Sequence, residues 1–407
     1  MNNNIPHTIK LQDGSLCNFN KRITKQSTPL VKLIQSGVTD PRKQHGKRHP
    51  LVLILMIVFI GMFSGCNDLK DACLFASLNR KLFRKWLKLP LPHGIPNPTT
   101  ISRVFQELDT EELVSVCVKF IQLLGIPLGD VCSFDGKTMR AVTGTDAIRH
   151  ILSMFSHNSH LALGQIGVGS KENEIPALER LLAQGLSNGF IENSLLIGDA
   201  LHTQKATVRT IIGVGADYLF VVKGNQEKLR RTITAELKAR PDDEKQSFTY
   251  HEVKRKRDIT TTVMAVTAKE VEELLPTLAG ANHWDSVKTM GILHRTGTRI
   301  SKDGTAHEID ETIGFISSRV LSAEEITTHL RHHWCIENNL HWVKDEGFNE
   351  DKHTLRKKNA PQVMSWIRST VISLCNGLKL KSISDTIHNL EKSTDLLNRF
   401  LHMAAVI

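Results

Sequence analysis

A chain of 407 residues can fill one large core or two to three ordinary ones. Its formal charge of +10 and isoelectric point near 9.2 favour an anionic partner, without separating nucleic acid from a membrane surface or simple solubility. Seven cysteines with no CxxC pair argue against a disulfide framework or a zinc site and for reduced thiols in a cytosolic protein, and nothing at the N-terminus resembles a signal peptide.

Residues 1–48 carry nine Lys or Arg against Asp13 and Asp40 and read as a basic, partly flexible arm. Its dense end, Asp40 to Pro50, either touches phosphates or is a solvated run. Residues 49–128 read as a helical N-terminal domain. The thirteen residues Leu51 to Phe63 are apolar or glycine, too short to span a bilayer, and predict a buried core helix. Further helices are expected over Asn67 to Leu78, Arg80 to Leu87 and Asp109 to Leu124. A short one opens at Thr99, after the break made by Pro90, Pro92, Pro96 and Pro98. Asp109 with Glu112 has the spacing of a capping box.

From about residue 130 the pattern becomes strands and helices in alternation. A strand over Val131 to Phe134 ends at Asp135. Arg149 to Phe155 and Leu161 to Val168 are expected as the second and third strands. Ile175 to Leu186 is an amphipathic helix, Leu195 to Gly198 a fourth strand followed by Asp199, Thr203 to Ile212 a helix, and Tyr218 to Val222 a fifth strand. This is the order of an α/β, ribonuclease-H-like sheet. There the first and fourth strands lie side by side, which would make Asp135 and Asp199 neighbours. Charges just past apolar strands lie at a sheet's open end, where chemistry is usually done.

Residues 129–407 thus read as a catalytic domain interrupted by a β-rich insertion at about 240–320. Ser247 to Tyr250, Thr260 to Val266 and Thr312 to Ser318 are the strand-like parts, with Gly291, Gly297 and Gly304 supplying turns. The run Lys254, Arg255, Lys256, Arg257 either grips a phosphate backbone or is a charged edge strand that blocks aggregation. Glu324 to Glu346 predict one helix. Glu337 lies on it with His333 and His341 four residues to either side and Lys344 two turns on.

Three carboxylates, Asp135, Asp199 and Glu337, suit hard divalent cations. Two Mg²⁺ or Mn²⁺ ions about 4 Å apart can prepare a water or 3′-hydroxyl for attack on a phosphodiester and neutralise the leaving oxygen. In this reading Asp135 bridges the ions, and Asp199 and Glu337 each complete one. Each residue also has a plainer reading: Asp135-Gly136 as a turn pair, Asp199 as a helix cap, Glu337 as an ordinary charged helix position. His333, Glu337 and His341 have a spacing that could grip zinc, but HExxH is absent. His333, Lys344 and Lys223 are better suited to orienting phosphate.

Four motifs in order carry a family resemblance. They are Phe134-Asp135-Gly136-Lys137-Thr138-Met139-Arg140, Gly198-Asp199-Ala200-Leu201-His202-Thr203-Gln204 and Tyr218-Leu219-Phe220-Val221-Val222-Lys223-Gly224-Asn225-Gln226. The fourth is His333-Trp334-Cys335-Ile336-Glu337-Asn338-Asn339-Leu340-His341-Trp342, with Phe348-Asn349-Glu350-Asp351 behind it. From about Asp40 to Leu380 the chain resembles transposases of the ISAs1 type, the H-repeat-associated group within the IS4-like DDE transposases. The resemblance implies that Asp135, Asp199 and Glu337 are the DDE triad, binding Mg²⁺ for cleavage at transposon ends and strand transfer. It also implies double-stranded DNA as partner and a bacterial cytoplasmic, nucleoid-associated location. The wider signature of Tyr, Arg, Glu and Lys is here Leu330, His333, Glu337 and Lys344, and Ala141 stands where glycine is common. Pairing two ends calls for a homo-oligomer, and no membrane or disulfide partner is expected. Two other readings remain: a catalytically idle DNA-binding relative, and a nuclease without a joining step.

Overall fold

The computed structural model describes residues 9–18, 29–142, 147–169, 172–267, 284, 286–301 and 303–407. Parts of the expected arm (1–8, 19–28) and insertion (268–283) lie outside the described residues. The chain divides into two compact units, one of Met1–Gly129, Gly136–Asn188 and Ile336–Ile407, the other of Asp130–Asp135 and Gly189–Cys335.

The first unit begins with helices α1 (Leu30–Gly37), α2 (Leu51–Phe63), α3 (Leu69–Leu78), α4 (Arg80–Leu87), α5 (Pro98–Glu107) and α6 (Thr110–Leu123). Every residue of α2 is buried, as a helix apolar on all faces requires. Asp109 caps α6, its carboxylate accepting the N–H groups of Glu111 and Glu112 at 2.8 and 3.2 Å. The expected capping box is half present. Glu112 reaches instead to Thr39, accepting its N–H at 2.6 Å and its hydroxyl at 3.0 Å.

The strand β1 runs Val131–Thr138, so it does not end at Asp135. Gly136 is a strand residue rather than half of a turn. A Cβ there would collide with the Glu174 carboxylate and the His150 imidazole, which are paired at 2.7 Å. The antiparallel pair β2 (His150–Ser156) and β3 (Ala162–Val168) and helix α7 (Glu174–Ser187) complete this part of the first unit.

In the second unit β1 pairs in parallel with β4 (Leu195–Gly198), and β4 with β5 (Asp217–Val222). The sheet continues through four antiparallel strands, β6 (Gln246–Lys254), β7 (Arg257–Thr267), β8 (Thr289–Ile300) and β9 (Ala306–Ser317), in the order β1-β4-β5-β9-β8-β7-β6. The β-rich segment therefore extends the sheet of β4 and β5 through β9. Gly291 and Gly297 lie inside β8, not in turns. A Cβ at 291 would overlap the Met264 carbonyl and the Phe315 ring, and one at 297 the Asp258 carbonyl. Helices α8 (Lys205–Gly213), α9 (Glu227–Ala239) and α10 (Ala323–His332) belong to this unit. Its core joins Leu195, Ile197 and Leu219 to Val263, Leu293 and Phe315 of the β meander and to Ile326 and Leu330 of α10.

α10 opens on a capping box, Ser322 with Glu325, and ends at His332. Beyond it Glu337–His341 and Val343–Gly347 are π-helical, with the Trp342 N–H donating to the Glu337 carbonyl. The single regular helix expected over Glu324 to Glu346 is thus interrupted. Its i→i+5 bonds move by about one residue what lies over what, so the two-turn relation of Lys344 to Glu337 does not hold. Helices α11 (Ala360–Gly377), α12 (Ile383–Lys392) and α13 (Thr394–Met403) close the first unit. No described helix is long and apolar enough to cross a membrane.

Candidate active site

β1 and β4 pair with a constant offset, Val131 opposite Leu195 and Ser133 opposite Ile197. The same offset carried two residues on, just past the end of β4, would set Asp135 level with Asp199. Ser133 and Asp135 share a face of the strand, and His333, the residue after α10, meets that face with its Nδ1 3.1 Å from Ser133 Oγ. Burial pushes the His333 imidazole below the ordinary histidine range, while the Asp135 and Asp199 carboxylates pull the other way. The ring is therefore within electrostatic reach of both aspartates.

Asp199 Oδ1 accepts the Leu201 N–H at 2.9 Å and caps the single turn Ala200–His202. A carboxylate has two oxygens and about four lone-pair sites, so capping does not exhaust it. Beneath the pair, Phe134 is fully buried and His202 meets its ring edge-on at 4.7 Å. Gly198 lets that ring lie against β4, since a Cβ there would overlap it. Asp135 is half-buried and Asp199 exposed, so both can be approached from solvent.

The exposed Lys223 follows β5 at the strand end matching that of Asp199. Two residues on, the Asn225 amide donates to the Ala200 carbonyl, joining the loops after β4 and β5. Lys254 and Arg257 form the last pair of the β6–β7 hairpin, with Arg255 and Lys256 as its turn, so this run is a hairpin tip. Val222 lies opposite Gly314, then Ile292 and Met264, whereas Arg257 lies opposite Arg299 and His307, seven residues further along each strand. At about 3.3 Å per residue the tip projects roughly 23 Å past the end of β5. A cleft of about 630 Å³ there is lined by Lys256, Arg257, Arg299, Ser301 and His307. Lys254 is bonded to Glu252 at 2.5 Å.

In the first unit, Glu337 is exposed at the start of the π-helical stretch. Lys344, 1% exposed, donates to Ser365 Oγ at 3.1 Å. Burial lowers its ammonium to about 8, with the Glu350 charge opposing. It belongs to a network that reading the sequence missed. Lys137 Nζ, two residues after Asp135, donates to Asp345 at 2.5 Å and to Glu350 at 2.7 Å. Arg368 stands 3.5 Å from the other Glu350 oxygen, and neither Glu350 nor Arg368 has exposed surface. Burial would raise the Glu350 carboxyl, but Lys344, Lys137 and Arg368 together hold it far below the usual range. For Lys137, burial is outweighed by Glu350 and Asp345, which hold its ammonium above the ordinary lysine value. The only signal in the sequence was that Lys137 and Glu350 fall inside the first and last motifs.

Residues 127–374 match the family described as "Transposase DDE domain", and residues 35–121 the one described as "DDE_Tnp_1-associated". The chain belongs to the DDE transposases. Within them it falls in the H-repeat-associated, ISAs1-type group. The "H repeat-associated putative transposase YhhI" of Escherichia coli (strain K12) is 28% identical over 359 residues, covering 86% of this chain and 92% of that one. "Putative transposase YncI" of Escherichia coli O157:H7 is 28% identical over 353 residues, covering 84% of this chain and 86% of that one.

A DDE transposase needs a divalent-metal centre. Among the described residues no three His, Cys, Asp or Glu side chains gather as a cage for an ion. A carboxylate on β1 and another just past the paired strand β4 do match what Mg²⁺ asks of a protein: one or two carboxylate ligands, with water and substrate phosphate filling the remaining positions. The oxygen donors of Asp135 and Asp199 are hard, as Mg²⁺ and Mn²⁺ require.

Proposed function

We propose that this transposase cuts double-stranded DNA at the ends of its element and joins those ends to a target, using a ribonuclease-H-like core. The observation that carries this reading is the parallel pairing of β1 with β4, whose register, continued past Ser133 and Ile197, would bring Asp135 and Asp199 level inside the region matched to the transposase family. Asp135 and Asp199 would hold Mg²⁺ or Mn²⁺, with Glu337 as the third carboxylate and two ions in all. When bound, the ions would ease deprotonation of the attacking water or 3′-hydroxyl and neutralise the leaving oxygen.

The protein's own groups do the rest. In the tautomer whose Nδ1 accepts from the Ser133 hydroxyl, His333 would present an Nε2 N–H to a phosphate oxygen. Lys223 and the hairpin-tip cations Lys254, Arg255, Lys256 and Arg257 attract and orient the DNA backbone. Lys344 is buried, so we assign it to holding the Glu337 segment in place. Two ends must be brought together, which calls for a homo-oligomer, and the relatives' bacterial source suggests action in the cytoplasm at the nucleoid.

The test is incubation of purified protein with Mg²⁺ and DNA bearing the element's own ends, read for nicking and joining. Asp135→Asn, Asp199→Asn and Glu337→Gln should each lower cleavage by about 10³-fold or more, equivalent to several kcal/mol of lost charge stabilisation. End binding should stay within about threefold. Near wild-type cleavage by Glu337→Gln would remove that residue from the centre. Nicking without joined product would make the protein a nuclease, and binding without either would make it catalytically idle.

A further inference from the structure

The most concentrated unneutralised charge in the helical region is on α4, not in the basic run at 40–50. In that run Arg42 is clamped by Asp40 at 2.8 and 2.9 Å and donates to the His49 carbonyl at 2.7 Å, while Lys47 lies 3.8 Å from the same Asp40. α4 differs. Its inward face is Phe83, Trp86 and Leu87, all buried, and the Trp86 indole N–H donates to Asn398 at 2.7 Å. The exposed side carries Lys81, Arg84, Lys85 and, just past the helix, Lys88. None of these four is paired with a carboxylate among the described residues. Arg80 is set apart, because it donates to the Leu91 carbonyl at 2.6 Å.

The dipole favours Arg84 and Lys85, which lie in the last turn, but it does not favour Lys81, and the row repels itself. The first turn contains no acid, so Lys81 sits uncompensated at the positive end of the helix dipole. Lys81 and Lys85 are like-charge neighbours one turn apart, a spacing at which repulsion is unfavourable, and Lys88 adds a further cation just past the helix end. Exposed helix faces ordinarily mix the two signs, which relieves this repulsion at no cost in solubility. A helix anchored by Trp86 and Phe83 can hold such a row in a fixed geometry, and a dense negative backbone would offset its repulsion.

We propose that Lys81, Arg84, Lys85 and Lys88 form a DNA-backbone contact surface of the transposase, a site separate in sequence from the carboxylate centre. The partner is duplex DNA phosphate, and the proposal rests on the chain's being a DNA-handling transposase. Such contacts are sequence-independent and are read through counterion release, which makes each phosphate neutralised worth about 0.9 in the slope of log affinity against log salt.

The experiment measures metal-free binding of the full chain to a labelled duplex at several NaCl concentrations, for wild type and for the variant Lys81→Gln, Arg84→Gln, Lys85→Gln, Lys88→Gln. The slope should fall by about 3 to 4 and the affinity at 50 mM salt by about 10²-fold or more, with a melting temperature no lower than that of wild type. A second variant with arginine at 81, 85 and 88 should keep the wild-type slope. An unchanged slope and affinity in the folded glutamine variant would overturn the proposal. So would loss of binding to anionic lipid vesicles alone, with DNA binding intact. Because no metal is present, failure of the carboxylate chemistry leaves this readout untouched. Failure of wild type to bind any duplex would instead count against the DNA-handling reading and the proposal together.

Discussion

Glu350 shows how much of this site is decided by single buried charges. It has no exposed surface, and its carboxylate faces Lys137, Lys344 and Arg368. A buried carboxylate among three cations is held ionised, and it keeps the cations from repelling one another; removing one partner of such a set is costly, commonly 3–5 kcal/mol. His353 lies against this network. Its Nδ1 accepts the Leu355 N–H at 3.1 Å, and burial, reinforced by Arg368, pushes its imidazole down to about 4 while Glu350 opposes. The sign follows from linkage: the folded value is below the unfolded one of about 6.5, so protons bind preferentially to the unfolded chain as pH falls. The contribution of His353 is fully present above pH 6.5 and is lost progressively between about 6.5 and 4. Denaturant unfolding of wild type and His353→Gln across that window should show a steeper fall for wild type, by up to about 1.4 kcal/mol per pH unit. Parallel curves would show that His353 is not the titrating group. Beyond the place of Lys137 and Glu350 inside two motifs, none of this was readable in the sequence. Lys137 and Glu350 are 213 residues apart, and either alone looks like a surface charge, whereas Asp135 and Asp199 could be read because each follows a short apolar run.

Among the elements, the decisive pairing is β1 with β4, because their parallel register, continued past Ser133 and Ile197, would bring the two aspartates level. The pairing depends on Gly198. A side chain there would overlap Phe134, whose ring is fully buried and in turn packs edge-on against His202 and Phe220. Gly198→Ala should therefore lower stability by about 1–3 kcal/mol through overpacking, read as a lower melting temperature. It should also weaken Mn²⁺ binding, followed by electron paramagnetic resonance, because Asp199 is the next residue. A stable variant with wild-type Mn²⁺ binding would show that the strands accommodate the methyl group without moving the carboxylate. Strand identity was legible wherever apolar runs were short and bounded: β4 matches its expected limits, and β2, β3 and β5 differ by a residue at their ends. β8 was missed because Gly291 and Gly297 look like turn residues until Phe315 and the neighbouring backbone are seen to occupy the space a side chain would need. The π-helical stretch at Glu337 was missed because its apolar spacing also fits a regular helix.

For the whole chain, the charge of +10 was legible at once, but its distribution was not. The arm's basic run is partly neutralised by Asp40, while α4 and the β6–β7 tip carry exposed cations. Binding would then be the work of cations and chemistry the work of carboxylates, and the two should respond to different reagents. Chelating divalent ions with EDTA should abolish cleavage and leave duplex affinity within about threefold, since phosphate contacts by Lys and Arg need no metal. In EDTA, raising salt from 50 to 200 mM should weaken binding by about 10³- to 10⁵-fold if six to ten phosphates are neutralised, and added Mg²⁺, a competing counterion, should only flatten that dependence. Fluorescence anisotropy over a grid of salt and Mg²⁺ concentrations measures both effects on one sample. Binding that tightens on adding Mg²⁺ at fixed salt, where competition alone would weaken it, would mean that the ions themselves bridge protein and DNA. The carboxylate centre would then contribute to the grip as well as to the reaction.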